Sequence, residues 1–267
     1  MIDKFCEFLK KEQMSKNTIQ VYKQTVIMFL DIFDEVNTTN LFAFKGRLLE
    51  KYKPKTVNLR IQAMNKYLSF CKKDDLKLTA IKIQQKPFLE NVISNADYVY
   101  LKNKLKKDKQ WEWYFVVRFL TATGARVSEL IQIKVEHVKN GYLDIYSKGG
   151  KMRRIYIPLT LQKEALKWFD EISLDTGYIF LNSKNERITT RGIALGLKKY
   201  AIAYGINPDV VYPHSFRHLF AKNFIEKYND ISFLADLMGH DSIETTRIYL
   251  RKTSTEQRTI VDKVITW

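Results

Sequence analysis

The sequence predicts a mainly α-helical chain of two domains carrying one small antiparallel β-sheet. Three observations predict it. Apolar residues recur at helical spacing through residues 1–83 and again through most of 93–267. One stretch only, Tyr142 to Ile157, reads as two short extended arms around Ser147-Lys148-Gly149-Gly150-Lys151, a hairpin with a Gly-Gly tip. Residues 84–92, with Pro87, show neither period, so they read as a linker between a helical domain, 1–83, and a larger mixed domain, 93–267. A length of 267 residues suits two domains of ordinary size.

In the first domain Ile2, Phe5, Phe8 and Leu9 mark one helix. Asn17, with Gln20 at the capping-box position, predicts the start of a second, whose apolar face is Ile19, Tyr22, Val26, Phe29, Leu30 and Phe33. A third helix is expected over Leu41 to Tyr52. A fourth begins near Lys55 after Pro54, with Val57, Ile61, Met64, Leu68 and Cys71 inward. In the second domain Ser94 caps a helix over Asn95 to Lys106, and Gln110 to Thr123 is the most apolar helix, ended by Gly124. After the hairpin, Thr160 to Ile172 and Thr189 to Tyr204 are helical, with a short strand expected at Tyr178 to Leu181. Helices follow at 215–227, 230–238 and 243–251, the last capped by Asp241 or Ser242, and one more in the tail from about 253.

Charge narrows the function. Forty-five Lys and Arg oppose 29 Asp and Glu, a net charge of +16. The excess is shared: 16 basic and 9 acidic residues in 1–83 leave +7, and the remainder holds +9. A basic balance in both domains favours one polyanion partner, nucleic acid before membrane. Lys16, Lys55 and Arg60 lie near helix starts, where backbone amides and basic side chains both meet phosphate. Arg153, on the second arm of the hairpin, is the DNA-contact candidate of the larger domain. The charged N-terminus is no signal peptide, and no apolar run reaches the length of a membrane span. Cys6 and Cys71 stand apart without ligand-like neighbours, which fits a reducing cytoplasm and predicts neither disulfide nor metal site.

The chemistry gathers in four stretches. Thr121-Ala-Thr-Gly-Ala-Arg-Val-Ser-Glu-Leu130 places Arg126 just past a helix end, with Glu129 as a partner to orient it. Lys148 sits at the hairpin tip. Pro213-His-Ser-Phe-Arg-His218 sets His214 and Arg217 one helical turn apart. Leu237-Met-Gly-His240 is followed, nine residues after the histidine, by Tyr249. This set of two arginines, a lysine, two histidines and a tyrosine contains no carboxylate pair, metal cluster or phosphate-binding glycine loop. Guanidiniums clamp the non-bridging oxygens of a phosphorane with fixed forks. A phenol forms a covalent ester that stores the bond energy for rejoining, though its ordinary pKa of about 10 demands help. His137 and His218 read as structural.

The order Arg126, Lys148, His214-x-x-Arg217, Gly239-His240 and Tyr249 resembles the tyrosine recombinases, the strand-exchange enzymes that include phage-type integrases and the Xer resolvases. Ser15-Lys-Asn-Thr-Ile-Gln-Val-Tyr22 and Lys55-Thr-Val-Asn-Leu-Arg-Ile-Gln-Ala-Met-Asn-Lys-Tyr67 extend the likeness to the family's four-helix, SAM-like core-binding domain. The resemblance implies Tyr249 as nucleophile making a 3′-phosphotyrosine bond. It also implies Arg126 and Arg217 on the phosphate, Lys148 as acid for the 5′-oxygen, His214 in proton transfer and His240 as a phosphate ligand. It implies duplex DNA with inverted half-sites, one domain on each side of the duplex, and dimers pairing into a tetramer. The tail, with Ile260, Val261, Val264, Ile265 and Trp267, is expected to join protomers. No cofactor or small-molecule substrate is implied. The chain starts at the core-binding domain, which suggests a compact Xer-like enzyme. A DNA-binding relative without cleavage, and a type IB topoisomerase-like enzyme, are the alternatives.

Overall fold

A computed structural model describes residues 1–83, 91–146, 152–240, 242–250 and 254–265, the side chains of 248–250 and 254 excepted. Most of the linker stretch, Lys148 and the hairpin tip, Asp241 and Trp267 therefore lie outside the described residues. The chain forms two compact units, Met1–Gln85 and Lys86–Trp267.

The first unit is built from α1 (Ile2–Lys11), α2 (Lys16–Leu30), α3 (Thr38–Lys51) and α4 (Pro54–Phe70), with a short 3-10 turn at Asp74–Leu76. Ser15, not Asn17, starts α2: its backbone is extended and its Oγ accepts the Thr18 amide at 3.1 Å. The earlier hydroxyl wins because Lys16 is already helical. Asn37 caps α3 through the Asn40 amide, and Pro54 opens α4, where its missing N–H costs nothing. Phe5, Leu9, Val26, Phe29, Phe44, Ile61 and Leu68 are buried together in the core.

The second unit starts with α5 (Asn95–Lys107) and α6 (Trp111–Thr123), followed by two short helices, α7 (Val127–Leu130) and α8 (Val135–Asn140). Strand β1 (Tyr142–Tyr146) pairs antiparallel with β2 (Met152–Tyr156), Ile145 opposite Arg153 and Asp144 opposite Arg154. Then come α9 (Leu159–Glu171), α10 (Thr190–Ala203), α11 (Pro213–Lys227), α12 (Ile231–Met238), α13 (Ile243–Leu250) and α14 (Ser254–Val264). The strand expected at Tyr178 to Leu181 is reduced to two isolated bridges, Lys134 to Tyr178 and Leu181 to Arg187. Each end finds a single-residue partner, so no ladder propagates.

Helix α6 is the axis of this unit. Phe115, Val116, Phe119 and Leu120 are buried along it, and Phe115 stacks on Trp168 of α9 at 4.5 Å. A Cβ at Gly196 of α10 would lie 1.8 Å from the Trp113 ring, so only glycine lets these helices approach as they do. Gly124 ends α6 at φ +61 with its α-carbon against Phe220 of α11. These contacts bring the C-terminal end of α6 beside the first turns of α11, which positions the site.

Candidate active site

The C-terminal end of α12 is the centre of the site. Gly239 adopts φ +60, its amide bonds to Asp236 O, and the His240 amide reaches back to Ala235 O. This is a Schellman-type ending, and it leaves the carbonyls of Met238 and Gly239 without helical partners at the negative end of the helix dipole. Three guanidiniums occupy them. Arg126 Nη2 donates to Gly239 O at 3.1 Å. Arg217 Nη2 donates to Met238 O at 2.5 Å, and Arg153 Nη1 donates to the same carbonyl.

Each arginine is held from a second side. Arg126 precedes α7, where Glu129 accepts its backbone amide at 2.7 Å and its Nη1 at 2.9 Å. Glu129, 5% exposed, thus fixes both the chain turn and the guanidinium. Arg126 stays 42% exposed and faces solvent. Arg217 lies within α11, 1% exposed, with Nη1 on Gly124 O at 2.5 Å. Arg153 donates Nη2 to Glu129 at 2.5 Å. Its side chain is 9% exposed, and β2 carries it beneath Gly239.

His240 lies between Arg217 and α13. Its Nε2 is 3.1 Å from Arg217 Nη2, and its Nδ1 is 2.9 Å from Thr246 Oγ1. Arginine has no acceptor, so Nε2 accepts there and Nδ1 carries the proton towards the threonine. Burial, and then the charges of Arg217, Arg126 and Arg153, lower the His240 pKa to about 4, so the ring is neutral at pH 7. His214, in the first turn of α11, is exposed and its pKa also falls, through partial desolvation and the charges of Arg217 and Arg126. His218 is buried edge-on to His214 at 4.9 Å, and burial lowers it to about 4. His137 caps α8, its Nδ1 accepting the Lys134 amide at 3.1 Å.

The described structure therefore brings Arg126, Glu129, Arg217 and His240 into one constellation with His214 at its rim. It adds Arg153 and Thr246, neither of which the sequence pattern placed there. Thr246, 0% exposed, is one of two adjacent threonines on α13, and only its buried position distinguishes it. Ser242 Oγ accepts the Glu244 amide at 3.2 Å and caps that helix. Tyr249 is the penultimate residue of α13; its side chain, like Lys148, lies outside the described residues. In the first unit Lys16 and Lys55 are exposed. Arg60 instead donates to Thr25 Oγ1 and lies over the Tyr52 ring at 4.5 Å, so it is engaged within its own bundle. Among the described residues no cluster of His, Cys, Asp or Glu is arranged to hold a metal ion. No described helix is long and apolar enough to cross a membrane. Chemically, a carboxylate set among three arginines leaves positive charge in surplus, suited to an anion that develops further charge during reaction.

Residues 91–256 match the phage integrase family and residues 2–74 match the phage integrase N-terminal SAM-like domain. The tyrosine recombinase XerA of Pyrococcus furiosus is 30% identical over 275 residues, covering 98% of this chain and 93% of that protein. The tyrosine recombinase XerD of Haemophilus influenzae is 26% identical, covering 93% of this chain and 92% of its own. Among solved structures, a lambda integrase dimer bound to a COC′ core site aligns with TM-score 0.75 and 16% identity, covering 100% of this chain and 77% of that one. XerH site-specific recombinase bound to palindromic difH substrate aligns with TM-score 0.73 and 20% identity, covering 99% and 83%. At those identities the two structures establish the shared fold.

Proposed function

This chain belongs to the phage integrase family of tyrosine recombinases, and from that we propose how its residues divide the chemistry. The enzyme is a tyrosine-type site-specific DNA recombinase, a DNA strand transferase acting on duplex DNA. Tyr249 Oη attacks the scissile phosphorus, the P–O5′ bond breaks, and a 3′-phosphotyrosine ester forms. The phenol proton leaves towards His214, and the departing 5′-oxygen takes a proton from Lys148. Arg126 and Arg217 grip the non-bridging oxygens, and His240 hydrogen-bonds to one of them. Reversal by another strand's 5′-hydroxyl rejoins the DNA, so the exchange conserves bond energy and consumes no nucleotide.

The observation that supports this reading best is the convergence of Arg126, Arg217 and His240 on the end of α12, one turn from the start of the helix that carries Tyr249. Arg126 and Arg217 now donate to backbone carbonyls. A phosphate oxygen is a stronger, charged acceptor for the same forks. His240 is neutral without DNA through its burial and then the arginine charges, and an incoming phosphate opposes the second of these.

The decisive experiment incubates the protein with nicked duplex half-sites selected from random DNA by the protein itself. Wild type forms a covalent protein–DNA adduct, and Tyr249→Phe loses it by at least about 1000-fold. An adduct with Tyr249→Phe would refute the nucleophile. Recombinant product between two full sites separates strand exchange from simple cleavage. We place the enzyme in the cytoplasm, acting on inverted half-sites as dimers that pair, with α14 as the joining element. Lys16 and Lys55 are proposed as phosphate contacts of the first unit.

A further inference from the structure

Arg153 shares its two acceptors with the two proposed phosphate-gripping arginines. Its Nη2 donates to Glu129 Oε2, while Glu129 Oε1 receives Arg126. Its Nη1 donates to Met238 O, which also receives Arg217. The side chain passes so close beneath the α12 ending that a Cβ on Gly239 would lie 2.3 Å from Arg153 Cδ. Gly239 O in turn holds Arg126. The fork of Arg153 therefore spans the gap between the α7 support of Arg126 and the α12 support of Arg217.

We infer that Arg153 is a positioning residue for strand cleavage, bridging Glu129 and the Met238 carbonyl so that Arg126 and Arg217 meet one phosphate at a fixed mutual angle. This rests on the assignment of those two arginines made above. A planar fork sets its donors apart and spans two acceptors on different elements; an ammonium holds its three donors on one nitrogen and lacks that span. Both Nη atoms bond within the protein and the side chain is 9% exposed, so its described partners are Glu129 and the Met238 carbonyl. Burial, opposed by Glu129 and reinforced by Arg217 and Arg126, lowers its pKa to about 10, so it remains a cation at neutral pH. Misplacing a clamp by a fraction of an ångström costs more in rate than in ground-state affinity, because the clamp tightens further as charge develops.

The test uses the full chain with Arg153→Lys and Arg153→Met. Three quantities are read: melting temperature, affinity for a nicked duplex half-site selected by the wild type, and single-turnover adduct formation at saturating DNA. Arg153→Lys is expected to melt within a few degrees of wild type and bind within about twofold, yet form adduct at least about 30-fold more slowly. Combined with Arg126→Lys, it should add less than about threefold to the loss caused by Arg126→Lys alone, since both act through one clamp. Adduct formation by Arg153→Lys within about threefold of wild type would overturn the inference. So would a loss confined to DNA affinity, which marks a phosphate contact, or unfolding of both variants, which marks a purely structural residue. Failure of wild type to form any adduct would instead strike the functional reading itself.

Discussion

At the scale of single residues, the site is decided by which atoms can accept. Arg217 can only donate, so His240 Nε2 must accept from it and the proton sits on Nδ1, against Thr246 Oγ1. The threonine hydroxyl can both donate and accept. It therefore serves either tautomer of His240, including the one that would present Nε2–H to a phosphate. Thr246→Val keeps the shape and removes the hydroxyl, leaving Nδ1 without this partner. The expected result is adduct formation slowed by about 10- to 100-fold, with Thr246→Ser near wild type. Equal rates for Val and wild type would remove Thr246 from the machinery. None of this was legible beforehand: two threonines side by side on a short helix look alike until burial separates them. The gathering of Arg126, Arg217 and His240, with His214 at its rim, was legible because fixed spacing around glycine and helix starts is a local signal. The pairing of Arg153 with Glu129 was not legible, because a cation's spacing on a strand does not say whether the strand turns it outward or into a carboxylate.

Elements explain why the rest of the reading succeeded in some places and not in others. Long amphipathic helices such as α2, α4 and α10 declare themselves through repeated apolar positions. The short α8 is too brief to show a period, and its N-terminal support is a histidine imidazole, an unusual cap. The stretch at Tyr178 to Leu181 had the composition of a strand, but its two ends pair with single residues of different segments and no ladder forms. The tail helix α14 poses the sharpest question at this scale. Ile260, Val261, Val264 and Ile265 are 40–59% exposed, an apolar face not covered by the described residues, while Glu256 at its start is ion-paired to Lys222 of α11. An exposed run of that kind suits a protein surface better than water. Deleting residues 254–267 should therefore leave the catalytic unit folded and weaken assembly of multiple protomers on a two-half-site duplex by at least about tenfold, with single half-site binding nearly unchanged. Titration by gel mobility on one and two half-sites distinguishes the two effects. Identical assembly with and without the tail would free α14 of this role.

The whole molecule joins its charge to its acid stability. All four histidines and all four tryptophans fall in the second unit, so tryptophan fluorescence follows the unfolding of the part that carries the titrating imidazoles. His218 and His240 hold pKa values of about 4 in the folded chain, against about 6.5 for an unperturbed histidine. His137 and His214 shift in the same direction, mainly through desolvation. For each group the unfolded chain binds the proton more readily, so stability is fully present above about pH 6.5 and is lost as pH falls towards 4. His218 is the most firmly buried of them, and its share is at most about 3 kcal/mol once the native ring also protonates. Burial first, and beside it the arginines that make the site attractive to phosphate, thus make the site intolerant of further positive charge. Urea unfolding followed by tryptophan fluorescence should show stability falling steadily from pH 7 to pH 4.5. His218→Gln should flatten that slope, because the variant no longer has a buried ring that refuses the proton. A wild-type stability that stays level or rises over this interval would mean that the buried imidazoles are already accommodated as cations, and the electrostatic account of the site would have to be rebuilt around a charged His240.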